Sequence, residues 1–215
     1  MTEELLKQLT EGIRMNRFIV AGEISSELEI SHKTHGETMY KTNIDIMRKS
    51  GCVDTLPCVI PEVLISDTTT KGNKILISGE LRTRNVPDAT KKLNIYLFVK
   101  EVGAYPGHDC NDIELDGYVC KAITYRKTPL GREIADMIIA SNRDSCHKSD
   151  FIPCIAWGRN AVRAYNIGVG CHVNIQGRLQ SRKYAKKLDS GDFEERIAYE
   201  LSVSRLEELA NENSN

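Results

Sequence analysis

Aromatic side chains are scarce in this 215-residue chain: they make up 6% of it, and Trp157 is the sole tryptophan. With so few, the position of each one is informative. No apolar run approaches the ~20 residues that a helix needs to cross a bilayer. The N-terminal MTEELLKQLTEGIRM lacks the basic-then-apolar order of a secretion signal, which points to an intracellular protein. There is no Walker loop, no Gly-x-Ser-x-Gly and no His-Glu-x-x-His, so an enzyme is the least supported class. The seven cysteines (52, 58, 110, 120, 146, 154 and 171) are odd in number and contain no CxxC pair. They read as reduced thiols, mostly inside apolar runs. The neighbours His108/Cys110, Cys146/His147 and Cys171/His172 lack the closely spaced ligand pairs of a zinc site. No metal and no cofactor is expected.

What the chain does have is segregated charge. The formal net charge of −1 divides into −3 over residues 1–115, +8 over 116–187 and −6 over 188–215. A basic block of that kind suits a polyanion, and it also suits a solvated face.

It also has an internal repeat. FIVAGEISSELEISHKTHGE (18–37) resembles IELDGYVCKAITYRKTPLGR (113–132), with Gly22 and Gly36 matching Gly117 and Gly131 at an offset of 95. LPCVI (56–60) matches IPCIA (152–156) at offset 96, and ISGELRTR (77–84) matches IQGRLQSR (175–182) at offset 98. Order is kept and spacing drifts by three residues, so two copies of one domain are the simplest account.

Each copy reads as five strands. In the second, they fall near 113–125, 132–142, 151–157, 171–182 and 196–206, with helical RNAVRAYNI between the third and fourth. In the first they fall near 18–30, 37–48, 54–60, 74–84 and 92–102, with a shorter helix near PEVLIS. Five strands with a helix between strands three and four is the order of an OB-fold, a small partly open barrel. The expected architecture is therefore all-β: two tandem OB-fold five-stranded barrels (16–104 and 112–209), each with a short helix between strands 3 and 4. A linker spans 105–111, a short N-terminal helix 1–15 and a polar tail 210–215.

The third strand of the second copy poses the functional question. In DFIPCIAWGR (150–159), Ile152, Cys154 and Ala156 alternate with Phe151, Pro153, Ile155 and Trp157. The first set supplies an inward face, which leaves the aromatics either buried against something else or exposed as a platform.

The opening LDGYVCKAITYRKTPLGREIADMIIASNR, then DFIPCIAWGRNAVRAY, then GCHVNIQGRLQSRKY, is similar to the bacterial and phage single-stranded DNA-binding proteins (SSB). The likeness lies in the ordered combination: a Gly in strand one, a Pro-x-Gly turn, an aromatic-rich third strand, and a Gly-x-Leu-x-x-Arg strand followed by an aromatic. It covers about 90 residues and, through the weaker first copy, nearly the whole chain. The resemblance implies a protein that coats single-stranded DNA in replication, recombination or repair, with phosphates held by cations and bases stacked on rings. It places Phe151, Trp157 and Tyr184 as stacking aromatics. Arg178 and Arg182 lie on the outward face of strand four, with Lys183, Lys186 and Lys187 continuing the line. Arg126, Lys127 and Arg132 flank the first turn, and Arg143 and Arg159 edge strands two and three. Phe151 and Trp157 are expected to face outward beside Arg178 and Arg182.

Bland readings stand beside these. Trp157 also suits a core or domain interface, and Arg178 and Arg182 could pair with the acidic 192–195 stretch. The first copy departs from the pattern: Thr55, Pro61 and Glu80 stand where the second has Phe151, Trp157 and Arg178. Only Arg84, with Tyr40 or Lys91 and Lys92, retains suitable chemistry, so weaker binding by this copy is expected. The chain ends RLEELANENSN without the family's acidic, apolar-tipped peptide, which argues against partner recruitment by that route and suggests a phage, plasmid or accessory paralogue. Family tetramers assemble four OB-folds, so a homodimer is expected, in the bacterial cytoplasm or nucleoid with no membrane contact. The open alternatives are an accessory module that uses its barrels for protein contacts and an RNA-binding OB protein, since stacking and phosphate contacts do not choose the sugar.

Overall fold

The computed structural model describes residues 15–85, 93–143, 148–187 and 191–209; the expected N-terminal helix and polar tail lie outside these. The chain is mostly β. Its first half runs β1 (Asn16–Ile24), β2 (Glu29–Thr34), β3 (Glu37–Met47), β4 (Val53–Pro61), a 3-10 turn (Glu62–Leu64), β5 (Lys74–Asn85) and β6 (Leu93–Ala104). The second half runs β7 (Cys110–Val119), β8 (Thr124–Lys127), β9 (Glu133–Asn142), β10 (Ser149–Trp157), helix α1 (Arg159–Tyr165), β11 (His172–Lys187) and β12 (Phe193–Glu208).

Each half closes on itself. β1 pairs with β3, β3 with β4, β4 with β6 in parallel, β6 with β5, and β5 with β1 again. The second ring repeats this order through β7, β9, β10, β12 and β11, with β10 and β12 parallel. Closure leaves only the short strands β2 and β8 at the ends of the sheet among the described residues.

The repeated glycines are what let one strand serve two neighbours. A Cβ on Gly22 would lie 2.3 Å from the Asp45 carbonyl oxygen, where β1 passes from β5 to β3; one on Gly117 would meet Ala140 O at 2.6 Å. At the bulges of β5 and β11, a Cβ on Gly79 would meet Phe98 O at 2.0 Å and one on Gly177 would meet Ser202 O at 2.2 Å. A bulge bends its strand, and here no side chain fits inside the bend.

The expected single first strand of each copy is broken in two. In the first half the serines take over the ladder. The Ser25 hydroxyl donates to Asp45 Oδ1 at 2.9 Å, and the Asn43 N–H donates to Ser26 Oγ at 2.9 Å. Such local side-chain bonds compete with the regular sheet pattern.

The interiors are aliphatic. Phe18, Ile24, Ile44, Leu56, Ile77, Leu81 and Leu97 fill the first ring and Leu115, Ile139, Ile152, Ile175 and Leu201 the second, none more than 1% exposed. Each such side chain withdrawn from water contributes about 1.5–3 kcal/mol. Phe18 is the one aromatic among the fully buried large side chains, so most of the chain's few rings lie elsewhere.

The rings join through β1 and β7, which pair antiparallel. This pairing maps onto itself under the repeat: Asn16 faces Leu115, while Asn111 (counterpart of Asn16) faces Val20 (counterpart of Leu115). Each Asn clamps its own ring, with Asn16 bridging both backbone groups of Leu81 at 2.9 Å and Asn111 those of Leu179 at 2.7 and 3.0 Å.

Candidate nucleic-acid interface

The outward face of the second ring runs across β8, β9, β10, β12 and β11. On β10 the alternation works as the sequence reads: Ile152, Cys154 and Ala156 are buried, while Phe151 is 45% and Trp157 41% exposed. Ile155 is the exception, outward by parity yet only 4% exposed. The two rings are six residues apart, about 20 Å along a strand, so they would engage different bases.

Register lines up what lies beside them. Trp157 is opposite Ile134 on β9, which is opposite Arg126 on β8, giving a ring, an aliphatic and a guanidinium in one row. Arg178 and Arg182 are not beside the aromatics. β12 lies between β10 and β11, because the third strand of each ring pairs in parallel with its last. Ile155 is opposite Ser202, and Ser202 opposite Arg178, so Arg178 lies two strands from β10, about 10 Å.

The intervening strand carries a carboxylate. Glu200, 9% exposed, accepts from Gln180 Nε2 at 2.9 Å and Arg182 Nε at 3.3 Å. The arginines therefore pair with neighbours on the face and leave the acidic 192–195 stretch to others: Lys183 takes Glu195 at 3.0 Å and Arg196 takes Glu194. Arg178 Nη2 donates to Gln180 Oε1 at 3.2 Å, and its buried Nε has no hydrogen-bond partner. The Arg182 guanidinium stands 5.7 Å over the Tyr184 ring, which is 36% exposed.

The remaining cations fall into two groups. Arg126 pairs with Asp136 at 3.1 Å and Lys127 with Glu133 at 3.7 Å, both as partly exposed surface pairs that are worth ~0–1 kcal/mol and are readily exchanged for phosphate. Arg132 and Arg159 are exposed, and neither side chain makes an ion pair or hydrogen bond among the described residues. They flank the Trp157 end of the face, where the Gly158 N–H donates to Glu133 O at 3.0 Å. Arg143 is different. Its guanidinium donates twice to the buried Asp150, at 2.7 Å each, and its side chain is 16% exposed.

From Arg178 onward β11 has left β7 and continues with β12 as a two-stranded ribbon. Lys186 and Lys187 lie in this ribbon opposite Glu194 and Phe193; their side chains, like Lys91 and Lys92, fall outside the described residues. Phe193, 70% exposed at the start of β12, adds a further ring to this ribbon.

In the first ring the matching face is occupied differently. Glu80, at the Arg178 position, holds Arg82 at 3.1 Å and also Lys100, and Arg82 lies 3.5 Å over the Phe98 ring. Tyr40 is half-buried on β3. A groove of about 620 Å³ reaches Arg84, which is exposed, but Glu27, Glu29, Glu194 and Glu195 also line it. Burial pushes the Cys58 and Cys154 thiols well above the usual range, in line with small core residues.

The fold is one already seen in solved structures. The wild-type single-stranded DNA-binding protein from Thermus aquaticus superimposes with a TM-score of 0.74 over 94% of this chain and 96% of its own, at 18% identity. A deletion mutant of the same protein gives 0.71 over 93% and 96%, at 19% identity. That likeness defines an OB-fold β-protein. Residues 110–209, the second ring with all of its strands, match the single-strand binding protein family. Among curated relatives, the single-stranded DNA-binding protein A of Bacillus subtilis (strain 168) is 33% identical over 103 residues, 45% of this chain and 59% of that one. The single-stranded DNA-binding protein 1 of Staphylococcus aureus (strain COL) is 35% identical over 80 residues, 34% and 48% respectively. The chain thus spans about half the length of the curated relatives it matches.

Proposed function

We propose that this protein binds single-stranded DNA with little sequence preference, through two OB-fold barrels in tandem (16–104 and 112–209), and mainly through the second. The observation that carries the reading is the pair Phe151 and Trp157. Both are large, nearly half-exposed rings on a strand whose inward face is already complete. Rings that are not needed for the core, on a face edged by Arg126, Arg132, Arg159 and Arg182, have the chemistry that stacks bases and tracks phosphates. Tyr184 and Lys183, with Lys186 and Lys187, extend the path along the ribbon. Arg178 lines its floor, while Arg143 contributes from beneath, through Asp150. Arg84 is the first barrel's contribution. The relatives, named for single-stranded DNA binding, support the same reading, and replication, recombination or repair is its setting. Self-association as a homodimer of tandem barrels completes the proposal.

The asymmetry follows from Glu80 and the acidic groove. Arg82 and Lys100 are already neutralised by Glu80 and gain less from phosphate, and in the groove four glutamates outnumber Lys41, Arg84 and Arg196. Anisotropy titration of a labelled dT oligomer, with oligo-U and duplex as competitors, tests the function. Binding that duplex displaces poorly is expected. Equal competition by duplex, or no binding at low salt, overturns it; preference for oligo-U moves the ligand to RNA.

A further inference from the structure

Two buried carboxylates cross between the rings in the same way. Asp150, 0% exposed, accepts the backbone N–H of Thr83 at 2.6 Å, the Thr83 hydroxyl at 3.0 Å and both arms of Arg143. The Thr83 hydroxyl oxygen in turn accepts the Phe151 N–H at 3.2 Å. On the other side Asp54, also 0% exposed, is gripped by Arg48 and accepts the Ser181 N–H at 3.0 Å, and Ser181 Oγ accepts the Thr55 N–H at 3.2 Å. Arg48 and Arg143, Asp54 and Asp150, Thr83 and Ser181, Thr55 and Phe151 are repeat counterparts, so this is one clasp made twice.

Their consequences differ because the two rings differ. The first clasp fixes the backbone of Phe151. The second fixes Ser181, in the ribbon between Arg178 and Tyr184 and next to Arg182. Both therefore act on the second ring's face, and each takes its partner from the first ring, 67 residues away in one case and 127 in the other. A carboxylate desolvated this fully stays only with its donors in place, so each clasp holds one arrangement.

We infer that Thr83 and Asp54 are positioning residues for the single-strand site of the other ring. The first ring, short of stacking aromatics itself, sets the geometry of those in the second. This rests on the proposed function above, and the test separates the two.

Thr83→Val removes the hydroxyl at nearly constant shape, and Thr83→Ser restores it. The full-length protein carrying 4-fluorophenylalanine would give a 19F signal for each of its four phenylalanines. In Thr83→Val the Phe151 signal shifts or broadens while that of Phe18, in the core, holds still; Thr83→Ser leaves both in place. Binding of a dT oligomer weakens about tenfold in Thr83→Val, the loss of one well-placed stacked base, and is retained in Thr83→Ser. An unmoved Phe151 signal in Thr83→Val overturns the inference, as does a serine variant that behaves like valine. Wild-type protein that fails to bind the oligomer overturns the functional reading instead, and the Phe151 signal still decides the clasp.

Discussion

Arg132 and Arg159 offer the sharpest electrostatic prediction, because among the described residues neither side chain has a partner to leave before it reaches a phosphate. Each phosphate contact to a single strand contributes a slope of about −0.7 in log K against log salt. If these two arginines and the half-exposed Arg126 and Arg182 reach about four phosphates together, the slope is about −2.8, and affinity falls about 50-fold between 50 and 200 mM salt. Replacing Arg132 and Arg159 together by alanine brings the slope to about −1.4 and the fall to about sevenfold. Exposed side chains without partners contribute little to folding, so the melting curve should barely move. Lys183→Ala is the comparison: it removes a single cation on the ribbon, away from the Trp157 end, and should change the slope by no more than about 0.7. The assay is anisotropy of a labelled dT oligomer over a salt series. A double variant that keeps the parental slope refutes the placement of the phosphate path at the Trp157 end of the face.

Two further predictions concern the fold that holds the site. Gly177→Ala drives a Cβ to 2.2 Å from the Ser202 carbonyl oxygen, and because backbone has to give way it should cost about 1–3 kcal/mol, read as a lower urea midpoint. Asp109 ties the segment between the rings: partly buried, it feels desolvation that would raise its pKa, yet it titrates below the usual carboxylate range because the Met47 N–H, the Tyr105 hydroxyl and the Lys74 ammonium together outweigh that. Its contribution is therefore complete above the unfolded value of about 3.9 and is lost as pH falls through the lower folded value. Asp109→Asn should flatten the acid limb of the stability curve below about pH 4, measured by urea unfolding across pH; an unchanged limb would show that the tie contributes nothing.

Much of this was legible in the residues. The mostly β architecture follows from period-two runs punctuated at Pro129, Gly131 and Gly36. The likeness of the second ring to the single-strand binding proteins follows from the ordered motifs of 113–184. Of the repeated glycines, Gly22 and Gly117, like Gly79 and Gly177, are positions where a Cβ would strike a neighbouring backbone, whereas Gly36 and Gly131 are turn positions at positive φ with open space around them. The inward set on β10 follows from parity alone. What parity could not supply was which strands are neighbours. Placing β12 between β10 and β11 is a non-local choice, and it moved Arg178 and Arg182 away from Trp157. The break after Ile24 depends on Ser25 and Ser26 finding Asp45 and Asn43, and the ribbon beyond Gly177 depends on β11 leaving β7. Asp54 and Asp150 stood in view at offset 96, as did Arg48 and Arg143 at offset 95. A buried carboxylate is not distinguishable from a surface one in sequence until its donors are known, and here those lie in the other ring.

If Trp157 meets bases, its emission must respond to them, and because it is the only tryptophan the emission of the whole protein reports on that one ring. Titration with a dT oligomer at low salt should quench and shift this emission in a saturable way that reverses with salt. Trp157→Ala should weaken binding by about 5- to 150-fold, the equivalent of 1–3 kcal/mol for one stacked base. Tight binding with unaltered Trp157 emission, or a Trp157→Ala variant of parental affinity, would contradict the account.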